Sequence, residues 1–292
     1  MQPESEPVQR APRIPVSVIV LTRNEEKNIA FCLDSLGAFA EVFVVDSAST
    51  DDTVAIAEAK GATVVPFVWN GRYPKKKQWA LENCPAAHDW VLFVDADEQV
   101  TPRLAHEIGG IVAQGGPHVG YFAAFDYVFM GRVLRHGRRV HKLVLFRRGK
   151  GRFAEVDDLE AQNMWEVEGH YQPRIDGSVG RLRATMLHRD HDLLFHYFER
   201  HNRYSDWEAV VREKHAVTGE IETQEPARAL LKRVFSRIPF RGFAAFLDSY
   251  VLNFGMLDGR AGFHYAVARG VYYWQVGLKQ REWRAWARGG AE

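Results

Sequence analysis

The sequence predicts an α/β fold with a mostly parallel sheet that is flanked by helices. Four short apolar runs, rich in β-branched residues, are typical of strands that are buried on both faces. Helical patterns separate these runs, and strands that alternate with helices indicate βαβ units. The four runs are residues 16–21 (VSVIVL), 42–45 (VFVV), 62–66 (ATVVP) and 90–94 (WVLFV).

The helices between these strands follow from apolar spacing and from capping residues. Residues 24–36 place Ile29, Leu33 and Leu36 at helical spacing. Residues 52–60 predict a second helix that ends at Gly61, because glycine commonly follows a helix end. Further helices are predicted from residue 78 and over residues 193–215, and later strands over residues 121–130, 143–146 and 182–187.

Length and composition exclude several classes of protein. The chain has 292 residues, of which 46% are hydrophobic and 26% charged, so it can bury a core without a disulfide or metal staple. Cys32 and Cys84 are its two cysteines, which excludes a disulfide framework or a four-cysteine zinc site and favours a reducing compartment. The net charge of +1 argues against a nucleic-acid binder.

Changes in composition predict three parts. Residues 1–13 are polar and contain prolines, so we expect a disordered lead-in that lacks the apolar core of a secretory signal. Residues 14–195 contain the predicted α/β domain, and residues 196–292 a helical C-terminal region. No run of about 18 uncharged apolar residues predicts a transmembrane helix.

Polar and acidic side chains follow three of the predicted strands. Because ligands of open α/β sheets bind beyond the carboxyl ends of the strands, these residues are candidates for a binding site. The first strand is followed by neither a Gly-x-Gly-x-x-Gly nor a lysine-bearing phosphate loop, which argues against a dinucleotide-dependent dehydrogenase or a P-loop NTPase. These segments are residues 22–26 (TRNEE), 46–53 (DSASTDDT) and 95–98 (DADE).

Asp95 and Asp97 form an Asp-x-Asp pair at the end of the fourth strand. Residues two apart on a strand share one face, so this pair can hold a hard divalent cation. Mg²⁺ or Mn²⁺ accepts one or two carboxylates and takes its other ligands from phosphate and water. An isolated Asp-x-Asp is often a turn or capping pair, but three acidic strand ends in one domain predict a site for a metal-bound diphosphate.

Three segments carry a resemblance to a known family. Residues 16–26 (VSVIVLTRNEE), 44–53 (VVDSASTDDT) and 90–98 (WVLFVDADE) resemble the signature segments of family 2 glycosyltransferases, which have the nucleotide-sugar-binding GT-A fold. Residues 200–209 (RHNRYSDWEA) and 257–262 (LDGRAG) resemble the branch that contains lipopolysaccharide-core β-1,4-glucosyltransferases. The resemblance implies inverting transfer of a hexose, with glucose as the first choice, from a UDP-sugar to a hydroxyl of a lipopolysaccharide-core or lipid-linked glycan.

The same resemblance implies roles for individual residues. Asp46 would accept the N3–H group of uracil, which favours a UDP donor. Lys77 would pair with the diphosphate as a point charge. Asp97, Asp95 and His188 would hold the divalent cation. The implied donor-binding residues are Thr22, Asn24, Glu25, Asp46, Ser49, Asp51, Lys77, Asp95, Ala96 and Arg203.

The catalytic base is harder to place. An inverting transfer needs a carboxylate or histidine beside the acceptor hydroxyl. Many relatives carry a His-Glu or Glu-Asp dipeptide after the last strands, and this stretch contains neither. We choose Glu168, with Glu166 and Asp158 as the next candidates. A nucleotidyltransferase and a catalytically inactive nucleotide-binding protein remain as alternatives.

The C-terminal region is basic and aromatic. Residues 225–292 contain eleven Lys or Arg and five Asp or Glu, and residues 243–254 and 263–274 are apolar on one side of a predicted helix. This pattern is typical of helices that lie in an anionic membrane surface. We therefore expect peripheral association with the cytoplasmic face of the inner membrane. The alternative is that these helices pack on the catalytic domain or on a second subunit.

Overall fold

The computed structural model of this protein describes residues 12–159, 166–168, 172–214 and 240–289, with residues 287–289 described by their backbone alone. The polar break that the sequence predicts at residues 218–226 lies outside these ranges, as does nearly all of the lead-in expected at residues 1–13.

Strands and helices alternate through the first half of the chain, as predicted. The strands are β1 (Ile14–Thr22), β2 (Phe39–Asp46), β3 (Thr63–Pro66), β4 (Trp90–Asp95), β5 (Glu98–Val100), β6 (Gly120–Phe129), β7 (Arg132–Val133), β8 (His141–Arg147), β9 (Gly151–Arg152), β10 (Arg174–Ile175) and β11 (Val179–His188). The α-helices are α1 (Ile29–Asp34), α2 (Thr53–Ala59), α3 (Lys76–Asn83), α4 (Pro102–Ala113), α5 (Leu194–Glu213), α6 (Arg241–Leu247) and α7 (Gly259–Gly289).

One mixed sheet organises the domain, with its main strands in the order β3-β2-β1-β4-β8-β6-β11-β5. Strands β3, β2, β1 and β4 are parallel, β8 runs antiparallel to both β4 and β6, and β11 is parallel to β6. The ends of β1, β2, β4, β6 and β11 therefore meet at one edge, where β8 begins. The predicted α/β class with a mostly parallel sheet is confirmed.

The central strand, β1, explains why the strands appear in the sequence as continuous apolar runs. Val18 and Val20 of β1 belong to one core cluster with α1 and α4, whereas Ile19 and Leu21 belong to a second cluster with α3 and α5. Successive strand residues point to opposite faces, so helices on both faces require apolar residues at every position. This packing fixes the strands and leaves their ends free for chemistry.

Three local predictions differ from the structure. The first helix begins at Ile29 rather than near residue 24, because Asn24 has a φ of 56° and belongs to a loop. Helix α4 was not predicted, although Thr101 caps it and Pro102 occupies its first turn. The single helix predicted over residues 243–254 is divided into α6 and a π-helical turn at Asp248–Leu252.

The C-terminal helices pack on the α/β domain and on each other. Helix α7 contacts both α5 and α6. A Cβ atom added at Gly242 of α6 would lie 2.6 Å from the carbonyl oxygen of Gly270 on α7, so glycine is needed for this close approach. Among the described residues, no helix combines the length and the apolar character that crossing a bilayer requires.

Candidate functional site

The sheet brings the predicted strand-end residues to one edge. Thr22 of β1 is in register with Asp46 of β2, and Leu21 is in register with Asp95 of β4. Strand β11 ends at the same edge and delivers His188. Strand β8 runs the opposite way, so its start brings Lys142 to this edge.

Two loops at this edge are tied together by side-chain hydrogen bonds. The hydroxyl of Thr22 donates to Asp46 Oδ1 at 2.9 Å, and the backbone N–H of Asn24 donates to Ser49 Oγ at 2.8 Å. The N–H of Glu25 donates to Thr53 Oγ1 at 2.7 Å, and Asp51 binds the same threonine. The loops after β1 and β2 therefore form one rigid wall, built from the residues predicted to bind the donor.

Asp46 lies at the centre of this wall and is buried. Its Oδ1 accepts the hydroxyls of Thr22 and Ser49, and its Oδ2 accepts the backbone N–H of Ser49 at 2.8 Å. An ionised carboxylate oxygen can accept two hydrogen bonds. Among the described residues Oδ2 has this one hydrogen-bond donor, so it can accept another.

Asp95 is paired with a lysine that the sequence did not single out. Its Oδ2 lies 2.8 Å from the ammonium of Lys142, which also lies 2.5 Å from Glu98 Oε1. Burial alone would raise the pKa of Asp95, but the charge of Lys142 holds that pKa well below its usual range. Asp95 is therefore a fixed anion at this edge.

The pKa values of Asp97 and Glu98 shift in the opposite direction to that of Asp95, because burial and the charge of Asp95 outweigh the nearby cations. Burial and the neighbouring charge of Asp95 raise the pKa of Asp97 and that of Glu98 to about 7. Burial and the charge of Lys142 lower the pKa of His188 to about 4, so its ring is neutral. An added cation would relieve the repulsion among these carboxylates.

These three residues offer a set of metal ligands. Asp97, Glu98 and His188 each present one ligand atom, and these atoms all lie within 4.8 Å of one another. His188 Nδ1 is buried, has no hydrogen-bond partner among the described residues and lies 3.4 Å from Asp97 Oδ1. Neutral imidazole and carboxylate are ligands that Mn²⁺ accepts, so the set fits the predicted divalent cation.

The ligand set differs from the predicted one at a single residue. Asp97 and His188 belong to it together with Glu98, whereas Asp95 lies outside it, and Lys142 binds both Glu98 and Asp95. Ala96, which lies between Asp95 and Asp97 in the sequence and was predicted to contact the donor, has a buried side chain. Glu98 directly follows the Asp-x-Asp pair, and that position was the available signal.

The lysine run at residues 75–77 is also distributed differently from the prediction. Lys76 is 1% exposed, and its ammonium donates to the carbonyl of Thr22 at 2.6 Å. Burial lowers the pKa of Lys76 to about 8. Lys77, the predicted diphosphate partner, is half-buried, and its charge helps to lower the pKa of Asp95. Two cations of this run therefore lie near the strand ends.

Arg200 approaches the acidic group more closely than the predicted Arg203. Arg203 is exposed on α5 and pairs with Glu199 at 2.5 Å. Arg200 binds Asp190, and its positive charge partly offsets the rise in the pKa of Asp97. Both residues lie in the same basic helical cluster, and the sequence pattern alone does not distinguish which one faces the site.

Glu168, the first choice for the base, is bound within the structure instead. It is fully buried, and its two oxygens accept the backbone N–H groups of Lys77 and Gln78 at 2.6 and 2.9 Å. These N–H groups lie in the first turn of α3, where a carboxylate satisfies donors that have no helical partner. In this arrangement Glu168 caps α3 and is not exposed to an acceptor hydroxyl.

The other two base candidates also differ from each other. Asp158 is fully buried and accepts hydrogen bonds from Tyr73, Lys75 and Trp207 at 2.9, 2.7 and 2.7 Å. Glu166 retains some exposure, with Arg23 at 3.3 Å and Lys76 at 3.8 Å from its carboxylate. Of the three predicted carboxylates, Glu166 is the one that is not enclosed.

Comparison with known proteins gives relatives along most of the chain. The chain is 29% identical over 276 residues to the lipopolysaccharide core biosynthesis glycosyltransferase LpsC of Rhizobium meliloti, and the alignment covers 92% of each protein. It is 46% identical over 99 residues, about a third of each protein, to an uncharacterized glycosyltransferase of Rickettsia conorii. The likeness to LpsC agrees with the predicted lipopolysaccharide-core branch.

Solved structures show more distant likeness. A mannosyltransferase from Pyrobaculum calidifontis in complex with GDP-Man and Mn²⁺ is 19% identical, with a TM-score of 0.48 and coverage of 94% of this chain and 90% of that one. Glucosyl-3-phosphoglycerate synthase from Mycobacterium tuberculosis, in complex with Mn²⁺, UDP and glucosyl-3-phosphoglycerate, is 20% identical, with a TM-score of 0.38 and coverage of 65% and 77%.

The family itself is given by a match that covers more than half of the chain. Residues 17–173 match glycosyl transferase family 2, and this range contains the strand ends with Asp46, Asp97 and Glu98. The acidic edge, its ligand set and its ordered loops are thus the candidate active site of a transferase. The chain belongs to glycosyl transferase family 2 and is a glycosyltransferase with an α/β fold of the GT-A type.

Proposed function

We propose that this enzyme transfers a hexose, with glucose as the first choice, from a UDP-sugar to a hydroxyl of a lipopolysaccharide-core or lipid-linked glycan, with inversion at the anomeric carbon. The observation that carries the proposal is the group of Asp97, Glu98 and His188 beside the tied loops after β1 and β2. A cation site next to these two loops suits a donor whose leaving group is a diphosphate.

The donor nucleotide would lie against the wall formed by the two loops. Asp46 Oδ2 can accept one more hydrogen bond, and uracil N3–H is a donor that fits this need. A buried acceptor of this kind disfavours bases that present only a lone pair at that position. This argument supports UDP over CDP.

The divalent cation, Mg²⁺ or Mn²⁺, would be held by Asp97, Glu98 and His188 and would supply positive charge to the leaving diphosphate. The protein adds further charge of its own. Lys142 is shared by Asp95 and Glu98, so these carboxylates and Asp97 together carry more negative charge than this one ammonium supplies, which favours an added cation. Lys77 and Arg200 lie where their charges act on this group, and they would pair with donor phosphate.

Glu166 is the carboxylate that we now propose as the base. Its oxygens are held by Arg23 and Lys76 rather than enclosed by backbone N–H groups. It would accept the proton of the acceptor hydroxyl as that oxygen attacks the anomeric carbon. The relative LpsC is named for lipopolysaccharide core biosynthesis, which supports a glycan of that kind as the acceptor.

Calorimetric titration of UDP, GDP and CDP, each with Mn²⁺ and with EDTA, tests the donor part of this proposal. We expect UDP to bind with Mn²⁺, to bind at least about tenfold more weakly with EDTA, and to be preferred over CDP. Equal binding of CDP would overturn the assignment of Asp46, because cytosine has no N3–H to donate. Release of pyrophosphate rather than UDP in a later turnover assay would indicate a nucleotidyltransferase.

A further inference from the structure

The C-terminal helices expose a continuous apolar surface. We define the C-terminal apolar face as Phe243, Leu247, Val251, Phe263, Val267, Val271 and Trp274, which are between 36% and 65% exposed. Those on α7 recur every three or four residues, so they form one stripe along the helix. Phe246 and Tyr250 bring α6 and the following turn against Phe263, which joins the two parts of the face.

The opposite side of α7 packs on the domain through both polar and apolar side chains. The ammonium of Lys279 lies 2.5 Å from Asp206 on α5, and Gln280 donates to Glu213 at 2.9 Å. Apolar residues of the same helix are also buried: Tyr265, Ala266 and Val276. Helix α7 therefore has apolar residues on its packed side and a second apolar stripe on its exposed side, and the exposed stripe marks an interaction site.

Two unpaired arginines lie beside this face. Arg132 and Arg135 are exposed and form no ion pair with any described residue, whereas the nearby Arg138 and Arg139 pair with aspartates. Asp258 accepts the backbone N–H of Arg135 at 3.2 Å, which fixes this loop at the start of α7. A cleft of about 390 Å³ opens between the arginines and Leu257, a residue that is 59% exposed.

We infer that the C-terminal apolar face inserts into the interface of an anionic membrane, with Arg132 and Arg135 placed against lipid phosphates. Exposed aromatic and aliphatic side chains beside unpaired arginines match the apolar boundary and the negative surface of such a membrane.

The inner side of α7 connects this face to the candidate active site. Tyr265 lies two residues from Phe263 on the chain, is buried, and has its ring 5.9 Å from that of Tyr127. The ring of Tyr127 lies 4.6 Å from that of His188. A membrane bound at the outer side would thus present a lipid-linked acceptor within one helix layer of the site. This last step rests on the proposed function, whereas membrane binding itself does not.

Flotation with vesicles tests the inference without any nucleotide or acceptor. The full-length protein is mixed with equimolar phosphatidylglycerol and phosphatidylcholine vesicles, or with phosphatidylcholine alone, at about 0.15 M salt. We expect binding to the mixed vesicles and at least about tenfold weaker binding to the neutral ones. Absence of binding to both vesicle types would overturn the inference while leaving the UDP titration free to succeed or fail.

Two double variants separate the apolar and the charged contributions. Phe243→Ser with Trp274→Ser removes large apolar groups and should reduce vesicle binding by at least about tenfold. Arg132→Gln with Arg135→Gln should reduce it by about 30-fold on anionic vesicles only. Arg132 and Arg135 are exposed, so the charge variant keeps the test decisive even if the apolar variant has a lower melting temperature.

Matched controls use residues away from this face. Val68 is 85% exposed, and Arg72 and Arg103 are exposed arginines on other elements. Val68→Ser and Arg72→Gln with Arg103→Gln should leave vesicle binding unchanged. An equal loss in these controls would overturn the assignment of the face. Dimerisation of the wild type in sedimentation velocity, abolished by Phe243→Ser with Trp274→Ser, would assign the face to a second copy instead.

Discussion

Two groups of buried carboxylates in this enzyme differ in how their charge is compensated. Asp158 and Glu168 each have their oxygens bound by donors from the surrounding structure. Asp97 and Glu98 lie at the sheet edge, where burial and the charge of Asp95 raise the pKa of each to about 7. The first group is complete within the folded chain. In the second group Glu98 shares Lys142 with Asp95, and among the described residues Asp97 has no Lys or Arg within ion-pair distance.

This difference indicates which carboxylates stabilise the fold and which await a ligand. A buried acid whose two oxygens are each bound by donors gains little from an added cation, and its loss leaves those donors unsatisfied. A buried acid beside like charge gains when a cation binds, so the chain tolerates its neutralisation. Variants at the two groups should therefore separate activity from stability.

The largest expected effect is on activity. Asp97→Asn should lower kcat by about 10³-fold, because it removes a proposed cation ligand at the leaving group. Its melting temperature should stay the same or rise, because a repelled buried charge is removed. Sugar transfer and thermal unfolding measure the two quantities. Asp89→Asn, at a side chain that is 87% exposed, is the control, and retained turnover in Asp97→Asn would contradict the cation role.

The largest expected effect on stability is at Asp158, whose oxygens are bound by donors within the folded chain. Asp158→Ala should lower the free energy of unfolding by about 3–5 kcal/mol, because it leaves the buried ammonium of Lys75 without its anion. Urea denaturation measures this. The double variant Lys75→Met with Asp158→Leu should lose less than Asp158→Ala alone. A loss below about 1 kcal/mol in Asp158→Ala would show that this pair does not hold the fold.

Lys76 gives a pH-dependent test. Burial lowers its pKa to about 8 in the folded state, below the ordinary 10.5 of the unfolded chain. Between these values the unfolded chain binds more protons, so the free energy of unfolding rises with pH. Relative to Lys76→Met, the wild type should gain about 2 kcal/mol between pH 7 and pH 10. Urea denaturation of both proteins across this range measures the gain, and parallel pH profiles would contradict the burial of a charged lysine.

The smallest effect is expected at Glu168. Glu168→Gln keeps one acceptor for the first turn of α3 and should lower the free energy of unfolding by about 1 kcal/mol. Turnover should remain within about twofold of the wild type, and Glu166→Gln should lose at least about 10²-fold. The reverse result in the same transfer assay would restore Glu168 as the base.

Much of the fold and part of the site could be predicted from local patterns. The β-branched runs gave β1 to β4, because strands buried on both faces leave a continuous apolar signal. Asp97 and Asp46 were found because polar residues at strand ends stand out against those runs. Lys76 was missed, since three consecutive lysines normally indicate solvated side chains and the burial of two of them depends on distant partners.

The sequence alone determined which chemical groups the sheet edge can present, since strand polarity and periodicity are local properties. Only the tertiary structure decided which carboxylates stay uncompensated. Lys142 reaches Asp95 from 47 residues away, and Trp207 reaches Asp158 from 49 residues away. The order of the strands and the packing of the helices bring these partners together, and no short window of sequence encodes them. The free charge of Asp97 and the bound charge of Glu168 are consequences of that assembly.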